Sequence, residues 1–283
     1  MSATKSDFLR TRFWRHALLN TFACGGILSG AIQLLIIFFP ELGAYHGGYT
    51  FSFFTLLSAT VGVFKAWPRP IAEDYSAPKM SILIEEGDIL NEDGNVVVGV
   101  CDTFDTAMPF IAQKSLQGQA LDKFYQGNLS RFDKDIDAAL VGLVPVGTIA
   151  KSGKTTKYGI GAVLPVMHGP RFLYLLAYCE MDESNKASAT VDGVWKSLLS
   201  LWSEVSKTSN GTSVSIPVIG GAQARLSHIM PAQDSIRFII LSFIFASRKE
   251  RVCESLRIIV HPTDFKKLDR LELQSFLSSL RPS

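Results

Sequence analysis

Polar side chains follow an apolar stretch in the first half of the chain. Asn95–Cys101 is β-branched and apolar at nearly every position, which is typical of a fully buried strand. Two carboxylates and two hydroxyls come directly after it, in Asp102-Thr103-Phe104-Asp105-Thr106, and a second polar loop follows in Ser115-Leu116-Gln117-Gly118-Gln119. Such groups at a strand's carboxyl end are suited to bind ribose hydroxyls. They are equally suited to cap the next helices, so both interpretations stay open.

A second segment whose residue types could bind a ligand lies at residues 216–225. An apolar strand runs directly into Gly220-Gly221 and then into a helix start rich in small residues, Ala222-Gln223-Ala224-Arg225. Glycines at this point let backbone amides approach a diphosphate, and the helix dipole and Arg225 favour its negative charge. An ordinary strand-to-helix turn explains the same residues.

A third segment, Glu86-Gly87-Asp88-Ile89, closes an earlier apolar run. A carboxylate at a strand end accepts the exocyclic amine of an adenine, and an adjacent apolar side chain such as Ile89 packs on its ring. On its own this short motif has little specificity.

Known catalytic motifs are absent. Gly153-Lys154-Thr155 resembles the end of a P-loop, but the earlier glycine that the motif requires would fall at Thr148. The segment also lies between two predicted strands, so a hairpin turn explains it. The sequence contains no GxSxG and no HExxH, and its five histidines do not cluster. We therefore predict no catalytic residue, no metal site and no cofactor.

Composition narrows the class of protein. The mean hydropathy of the 283 residues is +0.20 and only 19% are charged, which disfavours a wholly soluble enzyme and a disordered chain. A net charge of +2 gives no basic field for nucleic acid. The four cysteines have no CxxC or metal-like spacing and are predicted to be reduced, cytoplasmic-side thiols.

The surplus hydrophobicity lies near the N-terminus. Residues 17–39 contain no charged side chain and would form roughly 34 Å of helix, enough for a bilayer core of about 30 Å. A shorter uncharged run at 49–64 ends in Lys65, whose side chain can snorkel to the interface. We predict a transmembrane hairpin over 17–67. A cleaved signal peptide is disfavoured because the first run is too long and is followed by another.

Basic residues set the predicted orientation. They occur in the N-terminal segment 1–16 and after the second span, while the connecting loop has no Lys or Arg. The positive-inside rule then places both termini in the cytoplasm of an inner-membrane protein. Gly26 and Gly30 form a small-xxx-small pair, and small or weakly polar residues also recur along the second span, at Ser52, Thr55, Ala59 and Gly62. These patterns favour packing within the hairpin, association between chains, or both.

The rest of the chain is predicted to be a cytoplasmic α/β domain. Residues 68–78 are a polar, proline-containing linker, and strands then alternate with helices over 79–283. The apolar run at 236–246 is too short to cross a bilayer and is predicted to be a helix buried against a sheet. The other predicted strands are 80–86, 144–151, 157–166, 172–179, 213–219 and 256–261, and the other helices are 130–140, 189–207 and 271–280. The predicted fold is a mixed, largely parallel sheet flanked by helices.

The order of these segments resembles a macro domain, the ADP-ribose-binding fold. The details CDTFDT at 101–106, SLQGQ at 115–119 and VGTIA at 146–150 are similar to the divergent macro domain of Thoeris antiphage defence systems. In those systems the domain follows two N-terminal transmembrane helices, as predicted here.

The resemblance implies a membrane-anchored effector. A TIR-domain partner would make an ADP-ribose-type signal, histidine–ADP-ribose, and its binding would drive several copies to assemble in the bilayer, damage the envelope and kill the infected cell. By position, Asp88 and Ile89 would hold the adenine, and residues 220–223 the diphosphate, with Ala224 and Arg225 beside them. Residues 101–106 and 115–119 would surround the distal ribose and its substituent.

Departures from the family pattern bear on catalysis. Hydrolytic macro domains have an asparagine-rich strand end and a triple-glycine loop, whereas this chain has Cys101-Asp102 and Leu116-Gln117-Gly118. This favours binding over hydrolysis. Two alternatives stay open: a membrane-tethered ADP-ribosyl hydrolase in which Asp102 or Asp105 positions water, and a scaffold that recruits ADP-ribosylated partners.

Overall fold

The computed structural model describes residues 11–41, 47–67, 70–220, 226 and 229–281. The chain divides into two compact units, Met1–Pro70 and Ile71–Ser283.

The first unit is a pair of helices. Helix α1 spans Thr11–Phe38 and α2 spans Gly48–Ala66. Of the described helices, one is long and apolar enough to cross a membrane, over Phe13–Phe38. The predicted second span is helical, and its crossing of a bilayer stays a prediction.

Close packing of α1 on α2 depends on Gly62. A Cβ at this position would lie 2.6 Å from the carbonyl oxygen of Ala17, so no larger residue fits without moving a helix. Gly26 and Gly30 do not take part, because a Cβ at either would meet no described atom within 4 Å. Of these small residues, Gly62 therefore lets the two helices pack closely. Space is left beside Gly26 and Gly30, where no other described residue covers the helix surface.

The second unit contains the sheet strands β1 Ile71–Ser76, β2 Lys79–Glu86, β3 Asn95–Cys101, β6 Val163–His168, β7 Arg171–Met181, β8 Ala187–Ser188, β9 Val214–Pro217 and β10 Ser255–Val260, and a separate hairpin of β4 Gly147–Thr148 and β5 Thr156–Lys157. The order in the sheet is β1-β2-β10-β9-β3-β7-β6, with β8 paired to β7. The five strands from β2 to β7 in this order run parallel, and β1, β6 and β8 are antiparallel to their neighbours.

Helices cover both faces of the sheet. In β3, Val96, Val98 and Val100 pack with the helices at 116–125 and 129–140. Val97 points into the core formed with the helices at 191–208, 232–249 and 270–279, as the period of two requires. This confirms the predicted α/β class. The helices are α3 Leu116–Tyr125, α4 Leu129–Leu140, α5 Val191–Thr208, α6 Ala232–Lys249, α7 Pro262–Phe265 and α8 Arg270–Ser279, and a 3₁₀ turn spans Ile89–Asn91.

The predicted linker is wrong in part. Residues 71–76 form the edge strand β1, with Ile71, Glu73 and Tyr75 buried on alternate positions. Glu73 obscures the pattern because it is a buried carboxylate, satisfied by Arg281 and by Ser278 Oγ at 3.0 Å. The folded unit that contains the sheet therefore begins at Ile71, eight residues before the predicted boundary.

The middle of the chain has less strand than predicted. The expected strand at 144–151 is reduced to Gly147–Thr148, and the one at 157–166 is divided into Thr156–Lys157 and Val163–His168. Gly159 and Gly161 have φ of +79° and +93°, which interrupts an extended chain. The hairpin interpretation of residues 153–155 is confirmed. The 236–246 run is confirmed as part of a helix, α6, whose Ile236, Ile240 and Phe243 are buried.

Candidate functional site

The carboxyl ends of the five parallel strands meet at one edge of the sheet. In open α/β sheets, ligands bind in the crevice outside this edge. Asp88 follows β2, Asp102 follows β3 and Gly220 follows β9, so all three predicted segments arrive at the same edge. Gly221, Ala222, Gln223, Ala224 and Arg225 lie outside the described residues.

A cavity of about 370 Å³ opens at the ends of β3 and β7. It contains four of the predicted site residues, Cys101, Asp105, Ser115 and Gln117. The remaining lining residues are not among the predicted site residues: Gly99, Val100, Pro109, Phe110, Ile111, Ala112, Tyr178, Cys179, Met181, Asn185, Lys186 and Ala187.

Asp102 joins the two strand ends that frame this cavity. Its side chain is 1% exposed, accepts a hydrogen bond from the Met181 amide at 3.0 Å, and pairs with Lys157 Nζ at 3.1 Å. Its own amide donates to the carbonyl of Cys179 at 2.9 Å. These contacts fix the ends of β3 and β7 against each other and against the β4–β5 hairpin.

Asp105 forms the second link to that hairpin. Oδ2 accepts hydrogen bonds from Thr103 Oγ1 at 2.6 Å and Lys151 Nζ at 2.8 Å, and Oδ1 accepts from the Lys154 amide at 2.8 Å. The side chains of Lys151 and Asp105 are 0% and 2% exposed, so this is a fully buried ion pair. Gly153 is required beside it, because a Cβ there would lie 2.4 Å from Oδ1.

The other residues of the 102–106 loop are also engaged internally. Phe104 has a left-handed φ of 48° and packs edge-to-face on Tyr158, with centroids 5.8 Å apart. Thr106 Oγ1 donates to Asp133 Oδ1 at 2.8 Å. Burial opposes ionisation of Asp133, but the hydrogen bonds from Lys154 and Thr106 outweigh it and lower its pKa. Asp133 is therefore held as an anion, and its hydrogen bond with Thr106 ties the loop to α4.

The 115–119 segment begins α3. Ser115 Oγ caps the helix by accepting from the Gly118 amide at 3.1 Å, which confirms the capping interpretation for this residue. Gln117 is buried, and its Nε2 donates to the carbonyl of Asp105 at 2.6 Å. Leu116 packs against the core, and exposed Gln119 donates to the carbonyl of Lys114 at 2.9 Å. Ligand contacts by these residues stay predictions.

Asp88 and Ile89 differ in their exposure to solvent. Asp88 is exposed and its Oδ1 accepts from the Leu90 amide at 3.0 Å, which caps the 3₁₀ turn. Ile89 is 5% exposed and packs in the core. The carboxylate is therefore accessible to a ligand, and the isoleucine supports the turn that holds it.

Tyr178 lines the cavity and contacts the backbone of Gly220. Its ring covers Gly99, where a Cβ would lie 2.4 Å from Cε1. Burial and the neighbouring Cys179 raise the pKa of Tyr178 well above its ordinary value, and the backbone of Gly220 partly opposes the shift. Gly220 is buried with φ of +94°, a conformation suited to glycine.

Two thiols lie side by side in the cavity. Cys101 and Cys179 are partners in the β3–β7 register. A hydrogen bond with Cys179, together with burial, raises the pKa of Cys101 far above its ordinary value. Cys101 is therefore a neutral thiol at physiological pH and a poor nucleophile.

The sequence contained a signal for the missed lining residues. The apolar strand at 172–179 is followed by Asp182-Glu183-Ser184-Asn185-Lys186, the same order of apolar strand and polar turn as at 95–106. Because β7 is parallel to β3, its polar turn reaches the same edge. Parallel pairing of these two strands was the missing information.

Comparisons with known proteins agree with this architecture. Residues 82–261 match the family described as Thoeris protein ThsA, Macro domain. A Thoeris protein ThsA from Bacillus amyloliquefaciens (strain Y2) is 23% identical over 201 residues, which cover 68% of this chain and 66% of that protein. The chain thus spans slightly less than two thirds of that relative's length.

Solved macrodomains are similar at low sequence identity. A glycine-to-valine mutant of an Oceanobacillus iheyensis macrodomain with ADPR is 15% identical with a TM-score of 0.49, covering 74% of this chain and 99% of that one. A Trypanosoma brucei macrodomain in complex with ADP-ribose is 10% identical with a TM-score of 0.45, covering 74% of each chain. Since the family match at 82–261 includes more than half of the 283 residues, the chain belongs to the Thoeris ThsA macro-domain family.

Proposed function

We propose that the protein is a membrane-anchored effector of antiphage defence whose macro domain binds an ADP-ribose-type signal. The signal is histidine–ADP-ribose, made by a TIR-domain partner. Its binding assembles the membrane helices of several copies, which disrupts the inner membrane and kills the infected cell. Membership of the Thoeris ThsA macro-domain family supports the defence role and the class of ligand.

The cavity at the carboxyl edge is the observation that carries the binding proposal. Its volume of about 370 Å³ falls within the range of small-molecule sites. It adjoins Asp102 and lies on the same edge as Asp88 and Gly220, the residues assigned to the rest of the ligand. A dinucleotide-like ligand across this edge would place its distal end in the cavity.

The internal contacts of the two acidic residues favour binding over hydrolysis. A general base must lie within hydrogen-bond reach of the water that it activates. Both oxygens of Asp105 are occupied by donors within the protein, and Asp102 accepts from Met181 and pairs with Lys157. Both carboxylates therefore hold the loop, and Asp105, which also lines the cavity, has a donor on each oxygen.

Assembly in the membrane is supported by the uncovered glycine pair. Gly26 and Gly30 are on α1, and a side chain at either would meet no described atom within 4 Å. Small residues at such positions let helices of different chains approach closely. To shift the ratio of assembled to resting protein from 1:99 to 99:1, the ligand must bind the assembled state more tightly by about 5.5 kcal/mol, which several protomers can share.

The proposed topology has two spans with both termini and the macro domain in the cytoplasm. It is supported by the apolar helix over Phe13–Phe38 and by the basic flanks of the hairpin. A cytoplasmic macro domain would meet a signal made inside the cell.

The proposal is tested with the full chain in dye-loaded liposomes. We expect leakage with histidine–ADP-ribose, little with ADP-ribose, and none without ligand. Gly30→Leu should keep ligand binding in detergent but abolish leakage, whereas Gly142→Leu, at an open and exposed glycine of the unit that contains the sheet, should leave both intact. Leakage without ligand, or none with it, would contradict the proposal, and turnover of the ligand would support the hydrolase alternative.

A further inference from the structure

We propose that Asn185 recognises the group attached to the distal ribose of the ligand by accepting a hydrogen bond from an N–H of that group. The inference rests on the proposed function and deepens it. It adds the turn 182–186, between β7 and β8, to the binding site as a determinant of specificity.

The turn is preformed by Asp182. Its Oδ1 accepts hydrogen bonds from the amides of Ser184 and Lys186, both at 2.8 Å, and its carbonyl accepts from the amide of Asn185 at 3.0 Å. Asn185 takes a left-handed φ of 57°, which asparagine tolerates better than most residues. The backbone of the turn at Asn185 is therefore fixed without help from a ligand.

The amide oxygen of Asn185 is left over by this arrangement. Oδ1 is buried and has no hydrogen-bond partner within the described part of the chain, and the residue lines the cavity. A buried acceptor without a donor is costly, so a ligand N–H placed there gains more than the same group would gain in water. The orphaned oxygen thus favours ligands that carry a donor at this point.

Cys101 and the loop that follows β3 add no net charge to the cavity. The thiol of Cys101 is neutral because its pKa is raised by Cys179 and by burial, and the charge of Asp105 is balanced by Lys151 at 2.8 Å. Met181 and Ala187 add apolar lining. A cavity of this kind, which Lys186 also lines, accommodates a small nitrogen-bearing group with an N–H donor.

The turn is also tied to the loop after β3. The amide of Met181, the last residue of β7, donates to Asp102 Oδ1 at 3.0 Å. Asp102 thereby sets the base of the turn that carries Asn185. This gives the predicted loop an indirect part in ligand recognition, through the position of the residue that makes the contact.

The test compares two probes on the full chain in detergent by calorimetry, ADP-ribose and histidine–ADP-ribose. Asn185→Gly removes the amide and keeps a residue that accepts the left-handed φ. Asn210→Gly is the matched control, since Asn210 also has a left-handed φ, of 51°, and does not line the cavity. Asn185→Asp keeps an oxygen acceptor.

We expect Asn185→Gly to weaken binding of histidine–ADP-ribose about tenfold and to change ADP-ribose affinity less than about twofold, as loss of one hydrogen bond predicts. Asn185→Asp should preserve the preference, and Asn210→Gly should change neither affinity. Equal loss for both probes, or no loss, overturns the inference while binding by the parent chain upholds the proposed function. If the parent chain binds neither probe, the proposed function fails and this inference fails with it.

Discussion

Two polar turns at the same sheet edge differ in how their side chains are used. In 102–106, after β3, the polar groups of Thr103, Asp105 and Thr106 all have partners within the protein. In 182–186, after β7, the turn satisfies its own backbone and leaves Asn185 Oδ1 unpaired among the described residues. A polar stretch after an apolar strand predicts a loop at the sheet edge. Whether its side chains hold the site together or are available to a ligand depends on the hydrogen bonds and ion pairs that they make within the protein.

Exposure makes the same distinction among the acidic residues. Asp102 and Asp105 are 1% and 3% exposed, whereas Asp88 is exposed. The first two are expected to affect stability when they lose their partners, and the third to affect affinity. Substitutions at or beside these carboxylates separate the two effects.

The largest effect is expected from Lys151→Met. It leaves the carboxylate of Asp105 buried without its cation, and breaking a buried pair by removing one partner costs about 3–5 kcal/mol. Urea unfolding of the full chain in detergent measures the loss. Lys267→Met is the control, because its pair with Asp264 is largely exposed and should cost no more than about 1 kcal/mol. Equal effects of the two substitutions would show that Asp105 does not depend on its partner.

A smaller loss is expected from Gly153→Ala. The residue has φ of +88°, and the new Cβ would lie 2.4 Å from Asp105 Oδ1, so both backbone strain and a clash oppose the change. Gly169→Ala has only the strain, since φ is +60° and no described atom lies within 4 Å. We expect about 1–2 kcal/mol for Gly169→Ala and clearly more for Gly153→Ala, measured by the same unfolding titration. A similar loss at both positions would mean that the β4–β5 hairpin adjusts freely around Asp105.

Asp88→Ala tests the exposed side of the comparison. It removes a capping acceptor, which costs about 1 kcal/mol of stability or less, and it should weaken ADP-ribose binding about tenfold if the carboxylate contacts the adenine amine. Asn128→Ala is the control because Asn128 is an exposed cap of α4 that accepts from the Arg131 amide at 3.0 Å. It should lose similar stability with unchanged affinity in calorimetry. Unchanged affinity for Asp88→Ala would remove this residue from the predicted site.

Much of the fold followed from periodicity. The predicted strand Asn95–Cys101 has the observed bounds, because apolar β-branched residues fill it. The apolar stripe of α5 predicts that helix to within two residues at its N-terminal end. Strand β1 was missed because its buried face includes Glu73, whose charge is balanced by Arg281 about two hundred residues away. A long-range ion pair leaves no local pattern in a sequence.

The site was harder to predict than the fold for a similar reason. The order of motifs located the edge, yet the lysines that pair with Asp102 and Asp105 come from a hairpin some fifty residues later. Nothing local shows that these carboxylates are neutralised. In the same way, the parallel pairing of β3 with β7, which brings Asn185 to the cavity, depends on contacts that periodicity does not report.

The smallest predicted effect concerns the thiol of Cys101, which belongs to the internally satisfied side of the comparison. The hydrogen bond with Cys179 and burial raise its pKa, and the folded state therefore favours the protonated thiol. This contribution to stability is fully present below the thiol's ordinary pKa and is lost as the pH rises through the raised value.

Because the thiolate is the reactive form, iodoacetamide at pH 8 should modify Cys101 of the native protein slowly. Cys179→Ala removes the first cause of the shift, so labelling of Cys101, followed by peptide mass spectrometry, should accelerate a few-fold without a change in cavity lining elsewhere. Rapid labelling in the parent chain would show instead that Cys101 is an unsatisfied group like Asn185, available to a ligand.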